Sequence, residues 1–443
     1  MKRVVRIGGG AALAIALFIA GGIGLFRPND DGAKARTPVI AGTDVLLAPA
    51  LSGSLEHIIE NLQSRLRVLP TDWQGFASLG LAYVQQARVT ADPSYYPKAQ
   101  GVLQRSLGLE REDNFGAMVG MAALAAARHD FAGALRWGEQ AKAINPYNGN
   151  VYGVIGDAQV ELGRYRAAFA TFQQMVDTLP GVASYARVSY ARELMGDVPG
   201  AIEAMEGARD IAGTPADAAW ASYQLGELYF NRGDLDDAQA AYARGVRADV
   251  GYVPSFAGLA KVAWARGHMR RAIAAYADVV ARYPAPEYVI ALGDLYEAAG
   301  RADDAERQYA LVHAEERLFR ANGVNIDLEL ALFDAGHGDP AGALTAARNE
   351  WAKRHSVHVA DAYAWALYAN GRYAEASTYA RQALALGYRN ALFAFHAGMI
   401  QSKLGNDAQA RTLLEEAMGI NPRFSIQYAP VAREALARLG GAA

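Results

Sequence analysis

Past residue 50 one alanine returns at a nearly fixed interval. It stands at Ala99, Ala134, Ala168, Ala201, Ala238, Ala272, Ala305, Ala343, Ala376 and Ala410, in steps of 35, 34, 33, 37, 34, 33, 38, 33 and 34. A self-similarity near 34 residues restricts the fold more than any other feature of this chain. One period is a single supersecondary unit that cannot bury its own apolar face, so the units must stack into a helical solenoid. Five residues before eight of these alanines stands a glycine: Gly163, Gly196, Gly233, Gly267, Gly300, Gly338, Gly371 and Gly405. Four residues after several stands a ring: Phe172, Tyr242, Tyr276 and Tyr309. The stretch "GELYFNRGDLDDAQAAYARG", Gly226 to Gly245, holds one whole line of this pattern. It reads as helix, stop, helix.

The glycine suits the left-handed residue that ends a helix. The residue after it is a cap for the next helix at Asp197, Asp234 and Asn406. In "GDPAGA", Asp339 caps and Pro340 takes the first helical position, where its missing N–H costs little. Ala and Gly are abundant and β-branched runs scarce, which favours closely packed helices.

With these slots identified, the chain resembles the tetratricopeptide repeat family over about residues 70 to 424. The third repeat carries the pattern at Tyr152, Gly156, Gly163, Tyr165, Ala168, Phe172 and Pro180. The next two closest matches are Leu225, Gly226, Tyr229, Gly233, Leu235, Ala238 and Tyr242, then Phe256, Leu259, Gly267, Ala272, Tyr276 and Pro284. The last has Gly398, Gly405, Ala410, Leu414, Ala417 and Pro422, with Ala394 in its bulky slot. The resemblance implies an all-α, right-handed α-solenoid of about ten helix-turn-helix repeats. A capping helix is expected over Ser54 to Pro70 and a closing one over Ala429 to Gly441. Around "QQARVTADPSYY" the first unit has about seven extra residues, read as a longer turn. The unit holding Asp327 and Asp334 fits least and follows the longest step, so a hinge or distorted repeat is expected there.

The amino terminus reads differently. Lys2, Arg3 and Arg6 (residues 1–6) form a basic cytoplasmic cluster ahead of Ile7 to Phe26, an uncharged run of 20 residues. At about 1.5 Å per residue this is roughly 30 Å, the thickness of a bilayer core. It is longer than the usual hydrophobic region of a cleaved signal, about 7–15 residues. We read 7–26 as a transmembrane signal anchor of a bacterial protein, with Ala33–Lys34–Ala35 as the cleavage site if it is instead a cleaved signal. Positive-inside logic puts the rest outside the cytoplasmic membrane. Residues 27–48 are a polar Pro/Gly-containing tether, and 49–441 the solenoid.

Lys+Arg 43 against Asp+Glu 46 is nearly balanced, which argues against nucleic acid as a partner. With Cys 0, disulfides, thiol catalysis, iron–sulfur clusters, cysteine zinc sites and a lipoprotein anchor are excluded. No Gly-x-Ser-x-Gly elbow is present, and "IGGGAAL" follows no strand. Asp236/Asp237 and Asp303/Asp304 sit in first turns of second helices, where they complement the helix dipole. His129, His268 and His337 fall at turns, where a solvated polar side chain is expected. His355, His358 and Asp361 share one helical face and are a candidate metal set.

In tetratricopeptide proteins the first helices line the concave surface. Carrying their inward positions over gives Asp157, Glu161, Tyr190, Glu193, Trp220, Tyr223, Glu227, Phe230, Lys261, Trp264, Asp294, Glu297, Asp361, Trp365 and Tyr368. Seven are acidic, seven aromatic and one basic. That surface suits a protein or peptide with basic and apolar anchors. The Lys/Asn/Arg clamp that holds a terminal carboxylate elsewhere in the family has no counterpart. The function expected is a non-enzymatic interaction scaffold in the cell envelope, without a cofactor or structural metal. The alternatives are a metal-handling accessory protein using His355, His358 and Asp361, or a hydrolase on a helical toroid.

Overall fold

A computed structural model of the chain describes residues 55–440. The anchor, the tether and the basic cluster lie outside the described residues. Among the described residues there are 22 α-helices and no strand, and no helix is long and apolar enough to cross a membrane.

A single helix, α1 (Leu55–Val68), is followed by ten hairpins. The first five pair α2 (Trp73–Thr90) with α3 (Tyr95–Leu109), α4 (Phe115–Ala127) with α5 (Phe131–Ile144), α6 (Gly149–Glu161) with α7 (Tyr165–Thr178), α8 (Val182–Leu194) with α9 (Val198–Asp210), and α10 (Pro215–Asn231) with α11 (Leu235–Ala248). The next five pair α12 (Val253–Ala265) with α13 (Met269–Arg282), α14 (Pro286–Ala298) with α15 (Ala302–Ala321), α16 (Asp327–His337) with α17 (Pro340–Trp351), α18 (Val357–Ala369) with α19 (Tyr373–Ala383), and α20 (Ala391–Lys403) with α21 (Asp407–Ile420). One further helix, α22 (Tyr428–Gly440), follows.

First helices touch one another in sequence, as α2 with α4, α10 with α12 and α16 with α18. Second helices meet the following unit through its first helix, as α11 with α12. The first helices therefore make the layer that corresponds to the inner wall expected from the resemblance. By packing, the described chain divides into two compact units. An N-terminal unit runs through Arg187 and includes Leu318–Asn325; a C-terminal unit comprises Val188–Arg317 and the chain from Ile326 onward.

Each repeated slot has a structural reason. All ten periodic alanines are at most 3% exposed, because the two helices of a hairpin cross there and nothing larger than a methyl fits. All eight expected glycines have positive φ, from +72° at Gly163 to +101° at Gly338. In the second hairpin this slot holds His129, which takes φ +60° without glycine's freedom. The rings fill space between units. Tyr242 on α11 is fully buried, and a Cβ on either Gly226 (α10) or Gly258 (α12) would clash with its ring carbons. Leu103 stands likewise against Gly80 and Gly120, and Phe172 against Gly156.

Several expectations need correction. Asp197 and Asp339 cap their helices through Gly200 N and Gly342 N, at 3.0 and 2.9 Å. Asp234 and Asn406 occupy the cap position without a capping bond. Arg232 takes the Asp234 carboxylate, and the Asn406 amide goes to Gln401. The extra residues of the first unit lengthen helix α2 to 18 residues, and only Ala91–Ser94 form the turn. Before Ala343 the long step is absorbed by α15, which runs 20 residues. The unit after it closes as an ordinary hairpin, with Leu328, Ala331 and Phe333 buried.

Candidate functional site

The inner wall carries a ladder of charged side chains one repeat apart. In the C-terminal unit, Glu227 on α10, Lys261 on α12 and Asp294 on α14 hold equivalent places, each eleven residues before its periodic alanine. Lys261 Nζ donates to both Glu227 oxygens at 2.7 and 2.6 Å and lies 4.4 Å from the Phe230 ring centre. Tyr242 OH donates to Glu227 Oε1 at 2.6 Å. With side-chain exposures of 16% and 12%, the Lys261–Glu227 pair is shielded enough from solvent for its charges to matter. The pair also fixes the rotamer of Tyr242, the ring that joins two repeats.

Further along, Asp294 is a hub. Its Oδ1 accepts from Gln427 Nε2 at 2.8 Å, lies 3.0 Å from His337 Nε2 and is within 3.0 Å of Tyr309 OH. The His337 ring is held from both sides, with Nδ1 2.7 Å from the Phe333 carbonyl and Nε2 facing Asp294. Burial pushes the Asp294 carboxyl up, against the pull of His337 and Tyr309. His337 is therefore a buried partner and not the solvated turn residue expected from its place in the sequence. Glu193 on α8 is pushed up to about 7 by burial, reinforced by the Glu227 charge, although Asn231 and Tyr388 hydrogen-bond to it.

The chain's own segment after α21 also meets this wall. Asn421 Nδ2 donates to the Phe230 carbonyl at 2.7 Å, and Ile426 packs on the cluster containing Trp264 and Tyr276. Asn421 is only 1% exposed. A Cβ on Gly233 would lie 3.2 Å from the Ile420 carbonyl, so the turn after α10 seats directly against the segment between α21 and α22. The turn at Gly196 likewise meets the Gly387 carbonyl.

The fifteen inward positions distribute as follows. Glu161, Tyr190, Trp220, Tyr223, Phe230, Asp294, Asp361, Trp365 and Tyr368 are buried; Asp157, Glu193, Glu227, Lys261 and Trp264 are half-buried; Glu297 is exposed. In the N-terminal unit Asp157 is gripped by Arg187 through two bonds of 2.8 and 2.6 Å, and burial pushes its carboxyl up against that pull. Trp365 stacks on Tyr368 and His396 and donates to Tyr428 OH at 2.9 Å. Sequence reasoning missed Tyr309, His337, Asn421 and Gln427. Only the place of Tyr309 in the ring slot could have signalled any of them.

The candidate metal set does not assemble. His355 is exposed and packs edge-on to Trp351, and His358 is buried with its pKa lowered to about 3 by desolvation and by Arg354. Asp361 turns to His396 Nδ1, 2.9 and 3.0 Å from its two oxygens. Among the described residues no three metal-ligating side chains converge.

Residues 258–320 and 362–423 match one tetratricopeptide repeat model, and residues 220–244 match another. These segments are tetratricopeptide repeats. The other hairpins share the alanine slot, and from the third hairpin onward the glycine slot as well. No curated protein matches the sequence. Among solved structures, the APC/C hetero-tetramer Cut9–Hcn1 is similar at 16% identity over 89% of this chain and 83% of that chain, with a TM-score of 0.43. A thermophilic tetratricopeptide protein of Thermus thermophilus, TTC0263, is similar at 20% identity over 42% of this chain and 99% of that one, with a TM-score of 0.38. A tetratricopeptide repeat protein of Parabacteroides merdae shows 16% identity over 58% and 98%, with a TM-score of 0.35.

Proposed function

We propose that this chain is a non-enzymatic scaffold of the bacterial cell envelope, tethered by residues 7–26 and holding a partner polypeptide along the inner wall of its repeats. Tetratricopeptide repeats generally serve protein–protein contacts, and the repeat matches support that coarse reading. The observation that carries the finer one is the chemistry of the wall in the C-terminal unit. Glu193, Glu227, Asp294 and Glu297 stand there against Lys261, interleaved with Phe230 and Trp264. The polypeptide that covers part of it supplies amide N–H donors to a carbonyl and a carboxylate and an aliphatic side chain to an aromatic cluster. A partner segment with Lys or Arg beside apolar anchors satisfies the same groups with more charge compensation. A membrane tether would raise its local concentration near envelope partners.

A photo-crosslinking residue at Glu297, the exposed member of the wall, tests this. The comparison site is Arg270, exposed on the second helix α13. We expect a discrete adduct from Glu297 in envelope extracts, absent from Arg270 and diminished by Trp264→Ala. Equal adducts from both sites would refute the groove assignment. Alkaline extraction of membranes tests the tether: the full chain should stay in the pellet, and a chain lacking 1–26 should not.

A further inference from the structure

Within the C-terminal unit, hairpins far apart in the chain stack edge on edge. In a row of antiparallel hairpins the turns inside hairpins share one edge and the loops between hairpins share the other. The turn of α8 and α9 meets the loop between α19 and α20. A Cβ on Gly196 would clash with the Gly387 carbonyl, and one on Gly387 would lie 3.6 Å from the Met195 carbonyl. The turn of α10 and α11 meets the segment between α21 and α22 in the same way, Gly233 against Ile420 and Phe230 against Asn421. The same spacing of 191 residues separates Gly196 from Gly387 and Phe230 from Asn421, so both contacts keep one register. The turn edge of early hairpins therefore seats on the loop edge of late ones.

Where this contact is made, the apolar loop residue is covered: Tyr388 is 5% exposed and Ile420 8%. Two edges are left over. On the loop edge of the early hairpins, Ile211 between α9 and α10 is 46% exposed, and Val250 between α11 and α12 is 72% exposed. On the turn edge of the late hairpins, nothing among the described residues lies within 4 Å of a Cβ built at Gly267, Gly300, Gly338, Gly371 or Gly405. The N-terminal unit, taken by itself, repeats the contrast. Its loop at Val324 is buried where Asn325 N donates to the Arg128 carbonyl at 3.3 Å, while Tyr147 and Leu179 in other loops are exposed.

We propose that the leftover edges of the C-terminal unit bind each other between molecules, the Ile211 and Val250 loops of one copy seating on the free turns of a second copy. The occupant is a second copy because the contact is already made inside one chain, and the two unmatched surfaces are its two halves. The edges differ from each other, so the contact is heterologous, and copies add in one direction without closing. This inference does not depend on the groove reading.

The chain contains no cysteine, so disulfide trapping reads the contact directly. Full-length chains carrying Val250→Cys are mixed in mild detergent with chains carrying His268→Cys, Ala302→Cys, Ala341→Cys, Ala374→Cys or Asn406→Cys, one exposed position in each free turn. Ala274→Cys, exposed on the middle of α13, is the control. A disulfide needs Cα atoms within about 7 Å. Oxidation should give a linked dimer with at least one turn position and none with the control. Adding Ile211→Asp to the Val250→Cys chain puts a carboxylate into the contact and should cut the dimer yield at least about tenfold, with unchanged circular dichroism. Three results would overturn the proposal. One is that no turn cysteine links above the control. Another is that Val250→Cys chains link to one another as readily as to the turn variants. The third is that a folded Ile211→Asp chain links as well as its parent.

Discussion

The sharpest test of the packing code is a single methyl group. Gly258 lies on the first helix α12, and Tyr242 reaches it from the preceding hairpin. A Cβ there would sit well inside van der Waals contact with the ring. The ring has no room to retreat. It is fully buried, its hydroxyl is tied to Glu227 at 2.6 Å, and Gly226 also packs against it. Overpacking of this kind costs about 1–3 kcal/mol, while Gly→Ala inside a helix returns about 1 kcal/mol of propensity. Gly258→Ala should therefore be net destabilising, by up to about 2 kcal/mol. Gly101, on the second helix α3, has nothing within 4 Å of a built Cβ and is exposed, so Gly101→Ala should stabilise by roughly 0.5–1 kcal/mol. Because a repeat array need not unfold in two states, the assay is native-state hydrogen exchange read on the flanking helices, supported by urea midpoints. Shrinking the ring with Tyr242→Leu should recover much of the Gly258→Ala loss, a coupling visible in a double-mutant cycle. Equal stabilisation by Gly258→Ala and Gly101→Ala would refute the reasoning.

Three further outcomes follow from the structure. His129→Gly relieves a left-handed backbone at a non-glycine residue and should raise stability by about 0.5–1 kcal/mol, less what is lost in its stacking on Phe131, as read by urea denaturation. Arg187→Ala leaves the Asp157 carboxyl half-buried without its cation and should cost about 3–5 kcal/mol, much of it recovered in Arg187→Met with Asp157→Asn. The thermal midpoint should fall from about pH 5 to pH 8. Burial raises Glu193, Glu287 and Glu329 to about 7, Asp334 to about 6 and Glu315 to about 8, so their contribution is present below the unfolded value and lost as pH rises through the folded ones. His358, lowered to about 3, works the other way and contributes above its unfolded value, but it is one group against five. A midpoint that climbs between pH 5 and 8 would contradict this, and Glu329→Gln should flatten the slope.

How much of this was legible in the sequence depends on the range of the interaction. The alanine, glycine and ring slots report contacts between helices of one hairpin or of adjacent hairpins, and those recur with the chain's own period. Ala238, Gly233 and Tyr242 could therefore be placed from spacing alone. The first-helix positions of Glu227, Lys261 and Asp294 came from the same period. The burial of Asp294 did not, because Gln427 and His337, which bond it, come from distant parts of the chain and follow no period. His337 was misread for a related reason. Its position next to a turn was correct, but Asp294, 43 residues earlier, draws its ring inward. The His355–His358–Asp361 face failed because helical spacing fixes which side chains share a side and not which neighbour claims them. His396, 35 residues away, claims Asp361.

The bond from Asn421 to the Phe230 carbonyl has a kinetic consequence. Its partners are separated by 191 residues. Most of the architecture can form hairpin by hairpin, each new unit closing on the one before it with little chain entropy to overcome. The contacts at Phe230 and Asp294 cannot, since each requires a long stretch of chain to return to its own beginning. On a ribosome, α10 through α14 would have their apolar and acidic inner surface uncovered until residues beyond 420 had emerged. Completion of the C-terminal unit should then be a separate slow phase, following a fast rise in helicity. During that interval the nascent repeats would be open to any chaperone or partner waiting for that surface.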